Sequence, residues 1–182
     1  EKEIYEQGAV VSETIMGRVK NHKVTLENLD DEYLKGIDDV VLCACGTSYH
    51  AALTASYLFE RLAKVRTKVE VASEFRYRKP YLNKNSLFIV ISQSGETADT
   101  LEALRIAKEA ELKTLAICNV DNSSIVRLAD NTLLTRAGIE KGVASTKAFA
   151  TQIIVLWMLV LQMASAKGSI KKKELDHEIK TL

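Results

Sequence analysis

Short runs of apolar residues, each followed by a segment with helical periodicity, constrain the fold of this chain more than any other feature. The clearest runs are Val40–Ala44, Leu87–Ile91 and Thr114–Cys118. Such a run, bounded by polar residues, is typical of a strand buried on both faces of a parallel sheet. Strands that alternate with helices at intervals of roughly 25 residues form right-handed βαβ units. The sequence therefore predicts an α/β fold with helices on both faces of a parallel sheet.

Weaker segments complete the predicted set of elements. Lys68–Ala72 is predicted to be a short strand, and Thr132–Leu134 is short enough for an edge strand. Helices are predicted over Tyr49–Ala63 and Ala98–Lys113, where apolar residues recur at helical spacing. Residues 1–16 are predicted to form an amphipathic helix.

The length and composition suit a single domain. The chain has 182 residues, 47% of them apolar, which is enough for a sizeable core. We expect an N-terminal helical segment over about 1–36, with a short helix near Asp31–Lys35, a core over about 37–166 and a C-terminal helix or linker over 167–182. Because the chain opens with Glu1 rather than Met, we expect it to be an excised piece of a longer protein.

The loop Ser92–Thr97 connects the strand at Leu87–Ile91 to the next predicted helix. Ligands of open parallel sheets bind at the carboxyl ends of the strands, and free N–H groups at a helix start favour an anion such as phosphate. Ser92, Ser94 and Thr97 add side-chain donors, and Gly95 allows close approach of the backbone. For one such loop alone, a simple helix cap by Ser94 or Thr97 is an alternative interpretation.

A second loop of the same kind, Cys45–Ser48, follows the strand at Val40–Ala44. Two such loops at adjacent strand ends predict one polar pocket, whose donors carry no positive charge: Thr47, Ser48, Ser92, Gln93, Ser94 and Thr97. Neither loop has the glycine pattern of ATP-binding or dinucleotide-binding loops, so no nucleotide cofactor is expected. A third loop, residues 138–147, is either a further wall of this pocket or a helix start capped by Ser145.

Charge and cysteine content exclude several classes of function. Lys and Arg number 25 and Asp and Glu 24, which gives no support to binding of nucleic acid or a membrane surface. Cys43, Cys45 and Cys118 are expected to be free thiols in a reducing cytosol, and no metal-ligand spacing accompanies them. The apolar run Ile153–Leu161 approaches transmembrane length with its flanks, but polar residues interrupt it, which favours a core helix or a subunit contact.

The sequence identifies no catalytic residue. His22 and His177 lie in polar terminal segments and are expected at the surface. His50 follows the second loop, where either a surface or a pocket-facing position is open. Glu96 is either a general base or an acid that complements a helix start.

Four segments carry a resemblance to a known family: Cys45–Ser48, Ser73–Arg78, Ser92–Thr100 and Gly142–Phe149. In this order and spacing they resemble the isomerase part of the glutamine–fructose-6-phosphate aminotransferases, also called glucosamine-6-phosphate synthases. The motif Ser-Gln-Ser-Gly-Glu-Thr alone marks the wider sugar isomerase (SIS) family. The motifs Ser-Glu-Phe-Arg-Tyr and Gly-Val-Ala-Ser-Thr-Lys are specific to the synthases. The likeness covers about 40–166 of the chain.

The resemblance implies a fold and a ligand. The fold is a three-layer αβα sandwich of the flavodoxin-like SIS type, with a five-stranded parallel sheet. The ligand is fructose 6-phosphate or glucosamine 6-phosphate, and no cofactor is implied. By match of motif, the phosphate contacts are Ser92, Gln93, Ser94 and Thr97, and the sugar contacts are Thr47, Ser48, Val143 and Ser145, with Cys45 and Gly46 in the same loop.

The resemblance also implies partners. A family enzyme has a glutaminase domain followed by two SIS domains, and this chain is similar only to the first SIS domain. The family's Schiff-base lysine, isomerising glutamate and ring-opening histidine lie in the second SIS domain and the C-terminal tail. The chain is thus expected to be an inactive part of a cytoplasmic, homodimeric aminotransferase. Two alternatives stay open: a SIS module of a sugar-phosphate-responsive regulator, and another sugar-phosphate isomerase with its own catalytic His or Glu.

Overall fold

The computed structural model describes residues 2–139 and 146–182. The strands are β1 (Val19–Lys20), β2 (Lys23–Val24), β3 (Asp39–Ala44), β4 (Arg66–Val71), β5 (Ser86–Ser92), β6 (Lys113–Cys118) and β7 (Asn131–Leu134). The helices are α1 (Lys2–Ile15), α2 (Asp31–Lys35), α3 (Gly46–Leu58), α4 (Ala72–Arg78), α5 (Ala98–Glu109), α6 (Ser124–Leu128), α7 (Thr146–Lys167) and α8 (Lys172–Thr181).

Strands β3 to β7 form one parallel sheet in the order β4-β3-β5-β6-β7. The prediction of a five-stranded parallel sheet is therefore confirmed, with β7 at one edge. The order places β3 and β5, whose ends carry the two hydroxyl loops, side by side at the centre of the sheet. Leu42 pairs with Ile89 and Ile89 with Leu115, so one apolar row crosses three strands.

The sheet buries both of its faces, because alternate side chains of a strand point to opposite sides. On one face, Leu42 and Ile89 pack against α3 and α7, and α1 and α2 cover α7 in turn. On the other face, Phe88 and Val90 pack with α4 and α5, and Phe88 contacts the Phe75 ring at a centroid distance of 5.2 Å. The result is the predicted three-layer αβα sandwich.

Helix α7 lies in the core. In the described part of the chain it is the one helix long and apolar enough to cross a membrane, but 67% of its most apolar 18-residue window is buried inside the protein. Burial of this kind is expected of a core helix, in agreement with the interpretation of Ile153–Leu161.

Several element boundaries differ from the sequence prediction for local reasons. Helix α3 begins at Gly46 rather than Tyr49, because the extended backbone of Cys45 ends the strand segment directly before it. Directly after α3, the chain continues as a π-helical turn, Phe59–Ala63. This turn ends at Lys64, which has a left-handed backbone. Helix α5 ends at Glu109 rather than Lys113, because Glu111 turns the chain with a φ of 61°. The short hairpin of β1 and β2 was not predicted.

Candidate functional site

The two hydroxyl loops meet at the carboxyl edge of the sheet. Their strands, β3 and β5, are hydrogen-bonded neighbours in parallel register. Helices α3 and α5 begin directly after the loops, so two helix N-termini converge on the same place. The first N–H groups of a helix have no partner within it, and they carry the positive end of the helix dipole.

Neither helix start is capped by a side chain of the described residues. Thr97 is the N-cap residue of α5 and Cys45 that of α3, and neither side chain makes a capping hydrogen bond. The interpretation of Thr97 as a simple helix cap is therefore wrong. The amide groups at both helix starts stay available to a ligand.

Hydrogen bonds within the loop Ser92–Thr97 fix its shape. The Ser92 hydroxyl oxygen is buried and accepts from the Gly95 N–H at 3.0 Å, and it lies 3.3 Å from the Thr97 hydroxyl. The Ser94 hydroxyl oxygen accepts from the Glu96 N–H at 3.2 Å. Because Ser94 uses an acceptor position in this bond, its O–H remains a donor for a ligand.

The neighbouring connection between β6 and α6 supports this loop from outside. The Ile125 N–H donates to the Gly95 carbonyl at 3.0 Å, and the Asn119 N–H donates to the Gln93 carbonyl at 3.3 Å. Gly95 has a φ of 70°, and a Cβ atom there would lie 2.0 Å from the Ser123 hydroxyl oxygen. Only glycine fits this position of the loop.

Glu96 contacts the start of α6 and not the start of α5, the helix that follows it in the sequence. Its carboxylate accepts from the Ser124 N–H at 2.9 Å and from the Ser124 hydroxyl at 2.6 Å, and so it caps α6 from another element. These hydrogen bonds hold the pKa of Glu96 below its usual value. Glu96 is not among the residues that line the cavity described next, which argues against its role as a general base.

A cavity of about 170 Å³ lies between the two loops and α7. It is lined by seven of the sequence-predicted residues: Cys45, Thr47, Ser48, Ser92, Gln93, Ser94 and Thr97. Gly46, with a φ of 57°, belongs to the first turn of α3 but does not line the wall. None of the described lining residues carries a charge, as the sequence predicts for the two loops.

Sequence reasoning missed a further part of the wall: Ile91, Thr100, Ala148, Phe149 and Gln152. Thr100 lies one helical turn beyond Thr97 on α5, and Gln152 lies one turn beyond Ala148 on α7. A polar residue at helical spacing inside an apolar pattern was the available signal for both. Val143 and Ser145, the other two predicted sugar contacts, lie outside the described residues.

Of the other candidate groups, the three histidines, Cys43 and Cys118 do not line the cavity, whereas Cys45 does. His50 is exposed on α3, and His22 and His177 are exposed as predicted. Cys43, Cys45 and Cys118 are free thiols, and burial raises the pKa of Cys43, which makes it a weak nucleophile. Within residues 2–139 and 146–182, no group of three His, Cys, Asp or Glu residues is placed to hold a metal ion.

The sequence of this chain is similar to that of known proteins. The SIS domain family model matches residues 33–162. The glutamine–fructose-6-phosphate aminotransferase (isomerizing) of Campylobacter jejuni is 67% identical over 168 residues, which cover 92% of this chain and 28% of that enzyme. The enzyme of the same name from Helicobacter pylori is 51% identical over 174 residues, which cover 96% of this chain and 29% of the enzyme.

A solved structure agrees with these sequence relatives. The C-terminal domain of glucosamine-fructose-6-phosphate aminotransferase from Francisella tularensis superposes with a TM-score of 0.93 at 44% identity, covering 99% of this chain and 52% of that one. The chain described here thus spans less than a third of the length of the two curated relatives.

Proposed function

The chain belongs to the SIS domain family, and we propose that it is the sugar-phosphate-binding SIS domain of a glutamine–fructose-6-phosphate aminotransferase. The full enzyme makes glucosamine 6-phosphate from fructose 6-phosphate and glutamine. The observation that carries this proposal is the cavity into which both hydroxyl loops open, whose described lining residues are all uncharged. The names of the two curated relatives supply the substrate class.

The phosphate of the ligand binds at the start of α5. Ser92, Gln93, Ser94 and Thr97 surround that position, and the first N–H groups of the helix point towards it. Hydrogen bonds to a charged group contribute roughly 1.5–3 kcal/mol each, so a few of them hold a phosphate without a lysine or arginine.

The sugar of the ligand lies towards α3. Thr47 and Ser48 in the first turn of that helix contact its hydroxyl groups, with Cys45 and Gly46 positioning the turn. Val143 and Ser145, which precede α7 in the sequence, complete the sugar contacts in this proposal.

This chain binds the substrate but does not carry the catalytic groups. The lysine, glutamate and histidine that the family uses belong to a second SIS domain, and a glutaminase domain supplies ammonia. We propose that the complete enzyme is cytoplasmic and homodimeric. A regulator module or another sugar-phosphate isomerase has less support, because both curated relatives described above are named as the aminotransferase.

A double variant, Ser94→Ala with Thr97→Ala, tests the phosphate site. Two lost hydrogen bonds to a phosphate are expected to raise the Kd for fructose 6-phosphate by roughly tenfold or more in a calorimetric titration. The matched control is Ser12→Ala with Thr181→Ala, since those hydroxyls bond to carbonyls of their own helices. An unchanged Kd in the loop variant would count against the proposed site.

A further inference from the structure

Helix α7 carries two buried glutamines that differ in their partners. Gln152 and Gln162 are each 2% exposed. The Gln162 amide oxygen accepts from the Leu26 N–H at 3.0 Å, and its NH₂ group donates to the Leu29 carbonyl at 2.9 Å. Gln162 therefore has a structural role, since it satisfies the backbone of the segment before α2.

Gln152 has no such partner. Its amide makes no hydrogen bond to any described residue, and it lines the cavity between the two hydroxyl loops and α7. Burying an amide without a hydrogen bond destabilises a fold, so nearly all buried polar groups in proteins are paired. Among the described residues, the fully enclosed side-chain atoms without a partner belong to Tyr33 and Asp176, so the Gln152 amide is reached from the cavity. Water pairs with the amide when the cavity is empty, and a bound ligand takes its place.

The chemistry of the amide indicates which part of the ligand it contacts. A phosphate only accepts hydrogen bonds, so it pairs with the donors of the loop Ser92–Thr97 and could pair with the NH₂ group of Gln152 but not with its carbonyl oxygen. A group that both donates and accepts is needed to pair both ends of the Gln152 amide. Gln152 also lies on α7, beside Ala148 and Phe149, and not on the loop that starts α5. A carbohydrate hydroxyl, which both donates and accepts, is the group that pairs with an amide at this position.

We infer that Gln152 is a specificity-determining residue that binds a hydroxyl group of the carbohydrate part of the ligand. This inference rests on the proposed function. It adds to the same cavity a ligand contact from α7, the helix that faces the two hydroxyl loops. Gln152 thereby selects a polyhydroxylated phosphate ester over phosphate itself. Specificity of this kind is strong, because a ligand without the hydroxyl leaves the buried amide unpaired.

Gln152→Leu tests the inference, with Gln162→Leu as the matched control. The 182-residue chain is titrated with fructose 6-phosphate and with inorganic phosphate, followed by NMR at the Gly95 amide. We expect Gln152→Leu to weaken fructose 6-phosphate binding by roughly tenfold while the Kd for inorganic phosphate stays unchanged. Gln162→Leu should change neither Kd.

Thermal unfolding without ligand gives an independent readout. Gln152→Leu should leave the Tm unchanged or raise it, because no hydrogen bond to a described residue is lost and an apolar side chain takes the place of the amide. Gln162→Leu should lower the Tm by about 5 °C or more, because two backbone groups lose their partner.

The outcomes separate the two claims. A Tm loss in Gln152→Leu, an unchanged Kd for fructose 6-phosphate, or equal weakening of both ligands would overturn the inference and leave the proposed function standing. The same titrations are made on the full-length protein. No binding of either ligand to this chain and none to the full-length protein would overturn the proposed function, and the inference with it.

Discussion

Gly95 and Glu96 hold the phosphate loop in place although neither lines the cavity. Gly95 fits under Ser123 only because it has no side chain, and Glu96 binds the first turn of α6. The hydroxyls of Ser92, Ser94 and Thr97 are thus positioned by residues that contact a different βα connection. Preorganisation of this kind lets the loop bind a ligand without first being ordered.

Gly95→Ala is expected to destabilise the fold and to abolish ligand binding. Strain at a positive φ and the clash with Ser123 together should cost about 2–4 kcal/mol in urea denaturation. Gly168→Ala is the matched control, because Gly168 has a similar φ of 69° but nothing within 4 Å of its Cβ position. That control should lose only about 1–2 kcal/mol. Equal losses in the two variants would show that packing against Ser123 is unimportant.

Glu96 should give the stability of the chain a pH dependence. Its pKa in the folded state lies below the usual value of a glutamate, because Ser124 donates two hydrogen bonds to the ionised carboxylate. A lowered pKa means that the contact stabilises the fold above the unfolded-state pKa and is lost as the pH falls through the folded-state pKa. Glu96→Gln should therefore lower the Tm at neutral pH, and the difference from wild type should shrink below about pH 4.5.

The control for this titration is Glu109→Gln, at the exposed end of α5. We expect its Tm to follow that of the wild-type chain at every pH. A difference between wild type and Glu96→Gln that persists at low pH would show that the hydrogen bonds from Ser124 do not depend on the ionised form of the Glu96 carboxylate.

At the level of helices and strands, the sequence located most of the fold. The runs at Val40–Ala44, Leu87–Ile91 and Thr114–Cys118 agree with β3, β5 and β6 to within one residue at each end. They could be predicted because a strand buried on both faces is apolar throughout, a pattern that depends little on its neighbours.

The elements that the sequence missed depend on contacts far along the chain. The hairpin of β1 and β2 has two residues in each strand and is held against α7 and α8 rather than by its own propensity. The π-helical turn Phe59–Ala63 buries Phe59 and Leu62 towards α7, a requirement that no local pattern reveals.

Hydrogen bonds from Thr14 and Arg18 attach the end of α1 to the sheet edge. Arg18, 1% exposed, donates to the Glu27 carboxylate at 2.8 and 3.0 Å and to the Leu134 carbonyl at 2.8 Å. The Thr14 hydroxyl donates to the Thr135 carbonyl at 2.7 Å. The ion pair and these hydrogen bonds together join the end of α1, the hairpin segment and the end of β7.

Glu27→Gln is expected to destabilise the chain by about 1–3 kcal/mol in urea denaturation. The side chain of Glu27 is 42% exposed, so solvent screening keeps this loss below that of a fully buried pair. Glu102→Gln removes an exposed ion pair with Arg105 on α5 and should cost about 0.5 kcal/mol or less. Similar losses in both variants would mean that the Arg18 contact adds no more than a surface pair.

For the molecule as a whole, the sheet order turns two distant loops into one site. Cys45–Ser48 and Ser92–Thr97 are far apart in sequence, yet β3 and β5 are neighbours, as the strand–loop–helix pattern led us to expect. The wall formed by Thr100, Ala148, Phe149 and Gln152 was not predicted. The positions of Ala148, Phe149 and Gln152 depend on how α7 crosses the face of the sheet, which strand periodicity does not determine.

We propose that the chain self-associates through exposed aromatic residues. Most of α7 is buried, so the apolar surface available for a dimer lies elsewhere, with Tyr57, Tyr77 and Tyr81 more than two-thirds exposed. We expect sedimentation equilibrium to give twice the mass of one chain at micromolar concentration. A monomer over the whole accessible concentration range would contradict the proposal for this chain.

Calorimetric titration of the 182-residue chain with fructose 6-phosphate, glucosamine 6-phosphate and fructose tests the central claim most directly. The cavity between the two hydroxyl loops predicts that both phosphorylated sugars bind and that fructose does not, because the helix starts recognise the phosphate. Equal binding of fructose would contradict the claim that the loops Cys45–Ser48 and Ser92–Thr97 form a sugar-phosphate site. The claim would also be contradicted if a phosphorylated sugar bound neither to this chain nor to the full-length protein.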